Sequence, residues 1–97
     1  MLNRKDFLES LMVLAEDEEP MTVQERRYFY NLYKELMQKV DNDDKKFKKI
    51  AEAVSKHKID PVVFRNTMAH ERLIELTPRQ SQIYLYTVCI VILSKGL

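Results

Sequence analysis

The chain has 97 residues, of which 45% are hydrophobic and 32% are charged, and its formal net charge is +1. This length and composition are typical of one globular domain with a single hydrophobic core, and they exclude a disordered tail. The charges are placed unevenly: residues 1–44 carry six basic and eleven acidic side chains, and residues 45–97 carry ten basic and four acidic ones. This asymmetry predicts either two different surfaces or two complementary halves that face each other.

The cellular compartment is indicated by the single cysteine and by the first ten residues. Cys89 is the only cysteine, which excludes an internal disulfide and favours a reducing compartment. Arg4 and Lys5 precede an apolar stretch, as they would in a signal peptide, but Asp6 and Glu9 interrupt that stretch. We therefore expect a cytoplasmic protein.

Helix start signals recur along the chain, whereas turn signals for β-hairpins are almost absent. The only glycine is Gly96, so hairpin turns that need positive φ have little to build them. The pattern predicts an all-α, compact bundle of about five short helices in one domain, residues 1–97. The first helix is expected to open at Asn3 with Asp6, and its apolar residues follow at helical spacing: Phe7, Leu11, Leu14 and Ala15.

The second helix is predicted to open with a capping box at Thr22 and Glu25. An apolar stripe follows it, formed by Phe29, Leu32, Tyr33, Leu36 and Val40. The stretch AEDEEPMTVQER, residues 15–26, resembles the helical hairpin of TerB-like domains, in which a hydrophobe, a Ser or Thr and a Glu open the second helix. Met21, Thr22 and Glu25 match that pattern, and Glu18-Glu19 stand where those domains have Asp-Gly. The resemblance implies a helical hairpin, and we carry no function over from it.

Acidic residues mark the predicted N-termini of the third and fourth helices. Asp41, Asp43 and Asp44 place negative charge where a helix dipole favours it, ahead of apolar residues at helical spacing: Phe47, Ile50, Ala51 and Val54. Asp60-Pro61 predicts an N-cap followed by proline at the first helical position. The apolar residues of this fourth helix are Val62, Phe64, Met68, Ala69 and Leu73.

The fifth helix is predicted from about Pro78 to Lys95, because Thr77-Pro78-Arg79-Gln80 combines a cap, a proline and an amide side chain at N3. The uncharged stretch from Ile83 to Leu93 has eleven residues, or about 16 Å of helix, against about 30 Å of membrane hydrocarbon. We therefore expect no membrane insertion. A helix that is apolar on every side must be covered on every side, and four amphipathic helices each offer only a stripe. This reasoning predicts a two-fold homodimer interface formed by Tyr84, Tyr86, Ile90 and Leu93.

The chain carries no recognisable catalytic pattern. With one glycine it cannot form a Gly-rich phosphate loop, and His57 and His70 lack cysteines or carboxylates at zinc-like spacing. The acids from Asp41 onward resemble the start of a calcium loop, but Lys45 and Lys46 occupy the positions of a ligand and of the obligatory glycine. We expect no enzyme activity, no metal and no cofactor.

A lysine-rich run is the first of two candidate binding features. The pattern of two helices meeting at Ile59-Asp60 is typical of a helix-turn-helix, with residues 45–68 as the DNA-binding segment. Lysines would hold phosphates, and an arginine and an asparagine on the second helix would read bases of double-stranded DNA. The candidate residues are Lys45, Lys46, Lys48, Lys49, Lys56, Lys58, Arg65 and Asn66. A solvated lysine face is the competing interpretation.

The second feature is the concentration of tyrosines in ERRYFYNLYKEL, residues 25–36. Three tyrosines at this spacing cannot all share the apolar stripe, so at least one is predicted to be exposed beside arginines. A second core face of the five-helix bundle is the competing interpretation. The candidate residues for a protein partner are Arg26, Arg27, Tyr28, Tyr30 and Tyr33. We expect a small regulator or inhibitor, of the kind that phages and mobile elements encode, which binds another protein. DNA binding is the alternative.

Overall fold

The computed structural model describes Lys5, residues 20–56 and residues 60–95. Within these residues the fold is all-helical, with no strand, and its four helices are α1 (Val23–Asp41), α2 (Lys45–Lys56), α3 (Pro61–His70) and α4 (Pro78–Lys95). The all-α prediction is confirmed. The predicted first helix lies outside the described residues except for Lys5, which is helical. The radius of gyration is 12.5 Å, close to the value of about 13 Å expected for a compact domain of this size.

Reciprocal caps open both long helices, as the sequence predicts. At α1 the amide of Glu25 donates to Thr22 Oγ1 (3.2 Å), and the amide of Thr22 donates to Glu25 Oε1 (2.9 Å). At α4 the amide of Gln80 donates to Thr77 Oγ1, and the amide of Thr77 donates to Gln80 Oε1, both at 3.2 Å. Each box satisfies two backbone amides that have no partner inside the helix.

Aspartate caps open the two shorter helices. Asp44 Oδ1 accepts from the amides of Lys46 (2.8 Å) and Phe47 (3.1 Å), so of the three acids predicted to start α2, Asp44 is the cap. Asp60 Oδ1 accepts in the same way from the amides of Val62 (2.8 Å) and Val63 (3.2 Å). Side-chain acceptors at this position explain why α2 and α3 begin where they do.

Two helices end in a left-handed residue that is not glycine. Asp43 after α1 has φ of 58°, and Arg72 after α3 has φ of 54°. The amides that follow them, of Asp44 and Leu73, donate back to Lys39 O (2.9 Å) and Met68 O (3.0 Å). This is the backbone pattern of a helix C-terminal turn, and here a chain with one glycine builds it from other residues.

α1 and α4 lie side by side and run in the same direction. Near their first turns Arg79 Nε donates to Glu25 Oε2 at 2.9 Å, and near their last residues Lys95 Nζ donates to Asp41 Oδ1 at 2.6 Å. Both pairs join residues that are 54 positions apart. Because the sequence separation is the same at both ends, the two helices are parallel and in register. α2 and α3 together connect the end of α1 to the start of α4.

α4 is the central helix of the core, and its predicted bounds, Pro78 to Lys95, are confirmed. Nine of its 18 residues are buried: Ser81, Ile83, Tyr84, Leu85, Thr87, Val88, Cys89, Val91 and Ile92. The two buried hydroxyls are satisfied, since Thr87 Oγ1 donates to Ile83 O (2.6 Å) and Ser81 Oγ donates to Pro61 O (3.1 Å). The chain itself therefore covers most of this apolar helix.

The other three helices each bury one apolar stripe against α4. The buried residues are Leu32 and Leu36 of α1, Phe47, Ile50, Ala53 and Val54 of α2, and Phe64 and Met68 of α3. The Phe64 ring stacks on that of Tyr84, with the centroids 6.0 Å apart. The exposed residues of α1, α2 and α3 lie on the faces turned away from this core.

Candidate functional site

One side of α1 presents an exposed tyrosine among cations. We call this surface the α1 outer face; its residues are Val23, Arg26, Arg27, Tyr30 and Lys34. Tyr30 is 58% exposed, although large aromatic side chains are usually covered. The two arginines and Lys34 stand three or four positions from Tyr30, so helical geometry places all of them within about 60° of it around the axis.

The Tyr30 ring is held by a cation above it. Lys34 Nζ lies 4.4 Å from the ring centroid, which is the geometry of a cation–π contact. The ring remains 58% exposed beside this contact. The sequence prediction overlooked Lys34, although its position four residues after Tyr30 is the signal that could have identified it.

The other two tyrosines of this segment are less exposed than Tyr30. Tyr33 is half-buried and stacks on Phe29, with the ring centroids 6.5 Å apart. Tyr28 is also half-buried, and burial, with a smaller effect of Glu35, raises the pKa of its hydroxyl. The prediction that at least one tyrosine is exposed is confirmed by Tyr30. Tyr28 and Tyr33 pack partly against the core, and their assignment to the partner surface stays a prediction.

Among the described residues, no acidic side chain is paired with the cations of the α1 outer face. Arg26, Arg27 and Lys34 form no ion pair with any other described residue, whereas the nearby Glu35 is paired with Lys39 (3.3 Å). Uncompensated cations beside an exposed aromatic ring attract carboxylates while the ring offers apolar contact area.

The predicted lysine cluster forms a second exposed surface on α2. Lys45, Lys46, Lys48 and Lys49 are all exposed. Lys48 Nζ lies 2.6 Å from Asp43 Oδ1, and the other three have no ion-pair partner among the described residues. Of the two remaining lysines of the prediction, Lys58 lies outside the described residues, and the side chain of Lys56 is not described.

α3 carries the predicted base-reading residues, Arg65 and Asn66, and both are exposed. Arg65 is tethered rather than free, because its Nε donates to Leu76 O at 3.0 Å. The tether places the guanidinium over an open groove of about 540 Å³ between α3 and the start of α4, which we call the α3 groove. Its lining includes Arg65, Asn66, Ala69, Glu75, Leu76 and Gln80.

The predicted dimer surface on α4 is only partly present. Tyr84 is 3% exposed, so its assignment to that surface is corrected: its ring is packed on Phe64 inside the chain. Tyr86, Ile90 and Leu93 are half-buried and share one side of the helix. The described chain covers most of α4 and leaves these three residues partly exposed, so the homodimer stays a prediction that depends on them.

The described residues offer little for chemistry. Cys89 is buried, and burial raises the pKa of its thiol to about 12, which keeps it protonated at neutral pH. In the described part of the chain no three His, Cys, Asp or Glu side chains are grouped as a metal site requires. Of the helices described, none is long and apolar enough to cross a membrane.

No family model matches the chain, and no curated protein or solved structure is significantly similar to it. The resemblance of residues 15–26 to the TerB-like hairpin therefore gains no support from these comparisons. The surfaces described above are the only basis for a functional proposal.

Proposed function

We propose that this protein is a small, non-enzymatic regulator that binds a larger protein through the α1 outer face. The observation that carries the proposal is the 58% exposure of Tyr30, with Lys34 Nζ 4.4 Å from its ring centroid. Tyrosine and arginine are the residues most often found as energetic anchors of protein interfaces.

The arrangement suits a protein partner for two physical reasons. The Tyr30 ring loses little conformational freedom on binding, because the contact with Lys34 already restricts it. The neighbouring cations provide complementary charge for a partner with acidic residues around an apolar pocket. Such a surface binds by contact alone and needs no reaction.

The proposal is tested by capturing partners from lysate of the source cells after nuclease treatment. The tagged protein is expected to retain a partner that Tyr30→Ala and Arg27→Ala lose, since truncation of an anchor residue costs about 2 kcal/mol or more of binding free energy. Gln24→Ala is the matched control, because Gln24 is exposed on the same helix about 120° from Tyr30. Equal capture by all four proteins would contradict the proposal.

A second candidate function, binding of double-stranded DNA, is favoured by one observation. Lys45, Lys46 and Lys49 are exposed and unpaired among the described residues, as phosphate-binding lysines are before they meet DNA. The tether of Arg65 argues against free base reading, so this binding would be largely independent of sequence.

DNA binding has a distinctive salt dependence. If it occurs, the logarithm of the binding constant falls linearly with the logarithm of salt concentration, by about 0.9 for each phosphate neutralised. Changing Lys45, Lys46 and Lys49 to Gln should reduce that slope by about three such increments. A duplex that does not bind at low salt would eliminate this candidate and leave the protein-binding proposal unaffected.

A further inference from the structure

The α3 groove contains two opposite charges that do not neutralise each other. Arg65 and Glu75 both line it, yet no ion pair joins them within the described structure. Two side-chain amides, those of Asn66 and Gln80, also line the groove, while Ala69 and Leu76 add apolar surface. The volume of about 540 Å³ is within the range of ligand-binding sites, about 300–1,000 Å³.

The guanidinium of Arg65 is oriented before any ligand arrives. Its Nε donates to Leu76 O at 3.0 Å, and its two terminal nitrogens have no partner among the described residues. A guanidinium held by Nε presents its terminal nitrogens as a fork, which matches the two oxygens of a carboxylate.

Gln80 is also oriented, by the cap of α4. Its Oε1 accepts from the amide of Thr77 at 3.2 Å, which leaves the NH₂ group of the side chain as a donor. The side-chain amides of Gln80 and Asn66 can therefore form hydrogen bonds with the N–H and C=O groups of a peptide in the groove.

The charges select the class of ligand. A purely anionic ligand such as phosphate would be attracted by Arg65 but repelled by Glu75, and a purely cationic ligand would meet the reverse. A ligand with both a carboxylate and an ammonium group satisfies both side chains. Arg65, Asn66, Glu75 and Gln80 are all exposed, so the groove is open. A peptide segment can present one charged side chain to each of Arg65 and Glu75, and its backbone offers N–H and C=O groups to the amides of Asn66 and Gln80.

We propose that the α3 groove is a binding site for a short extended peptide segment that carries an acidic side chain for Arg65 and a basic side chain for Glu75. The site involves none of the residues of the α1 outer face, so it does not depend on the proposed function. Its occupant is a segment of a partner polypeptide, recognised by one charge of each sign and by its backbone amides.

The probes are capped synthetic peptides containing one Glu and one Lys separated by zero, one or two glycines, titrated into ¹⁵N-labelled protein. We expect saturable shifts of the Arg65 Nε–H and of the Asn66 and Gln80 side-chain amide signals with at least one spacing. Replacing Glu or Lys of that peptide by Gln should weaken binding about fivefold or more, since a charged hydrogen bond contributes more than a neutral one.

Protein variants complete the experiment. Arg65→Lys keeps the charge but removes the fork, and Glu75→Gln removes the carboxylate, so both should weaken binding about fivefold or more. Glu71→Gln makes the same charge change at an exposed residue that does not line the groove, and it should leave binding unchanged.

Tyr30→Ala should also leave the peptide affinity unchanged, which separates this site from the proposed function. Circular dichroism of each variant confirms that the helices are retained. Absence of groove shifts with all three peptides, or equal binding by Arg65→Lys, Glu75→Gln and the unaltered protein, would overturn the proposal.

Discussion

α1 and α4 are nearly equal in length, 19 and 18 residues, and they run parallel, but they differ in how many of their residues are buried. α4 buries nine residues, and the apolar residues Tyr86, Ile90 and Leu93 on one side of it are half-buried. α1 fully buries two, Leu32 and Leu36, and presents Tyr30 and its cations on the opposite side. The difference indicates that α4 contributes most of the buried residues, and that the partner binding we propose for α1 involves side chains outside the core.

The largest expected effect separates the two helices by stability. Leu85 of α4 is 0% exposed, so Leu85→Ala should lower the free energy of unfolding by about 2–5 kcal/mol through lost burial and a residual cavity. Tyr30→Ala on α1 removes more atoms but should cost less than about 1 kcal/mol, since the ring is exposed. Urea denaturation followed by circular dichroism measures both. If Tyr30→Ala lowered the free energy of unfolding as much as Leu85→Ala, the conclusion that α4 contributes more to stability than the exposed face of α1 would be contradicted.

Removal of an N-terminal cap should lower stability by a smaller amount, and by about the same amount in α1 and α4. Thr22→Ala and Thr77→Ala each remove the hydroxyl of a reciprocal cap and should each cost about 1 kcal/mol in the same denaturation experiment. Thr22→Ser and Thr77→Ser keep the acceptor and should cost much less. If the alanine and serine variants at a position were equally stable, the cap hydroxyl would not contribute there.

The smallest effect concerns the contact between the two helices and depends on pH. The hydrogen bond from Arg79, together with that from the Thr22 amide, lowers the pKa of Glu25 below its ordinary value of 4.5. Because the folded-state pKa is the lower one, this contribution to stability is fully present above about pH 4.5 and is lost as the pH falls through the folded-state pKa.

Glu25→Gln is the variant that isolates this contribution. The stability difference between the unaltered protein and Glu25→Gln should be constant from pH 7 to about pH 5 and should shrink below about pH 4.5. Thermal unfolding at a series of pH values measures it. A difference that grows on acidification would show that the ionised carboxylate does not stabilise the fold.

The local features of this fold were predictable from sequence, because each depends on a few neighbouring residues. The caps at Thr22, Asp60 and Thr77 and the bounds of α4 follow from side-chain acceptors and prolines beside apolar periodicity. The sequence predicted that at least one of three tyrosines of α1 is exposed, but not which one. Tyr30 lies opposite Leu32 and Leu36, whereas Tyr28 and Tyr33 lie beside that stripe. A helical projection does not decide whether residues beside a stripe are buried or exposed.

The long-range features were not predictable. α4 is apolar all round, so nothing in its periodicity shows that Tyr84 points inward while Tyr86 stays half-buried. The Glu25–Arg79 pair spans 54 positions, and Arg65 is tethered to a backbone carbonyl eleven positions away, an acceptor that every residue offers. Tertiary packing, which a single sequence does not encode locally, decides these contacts.

The most direct measurement of the central claim is site-specific photocross-linking on the α1 outer face. A benzophenone amino acid is placed at position 23, which is exposed on this face and leaves Tyr30 in place, or at position 24 as the control, and the protein is irradiated in nuclease-treated lysate of the source cells. We predict one dominant cross-linked protein from position 23, little from position 24, and loss of the product from position 23 when Tyr30 is changed to Ala. Equal cross-linking from both positions, none from position 23, or a product that Tyr30→Ala does not reduce would contradict the claim that α1 binds a protein partner through Tyr30.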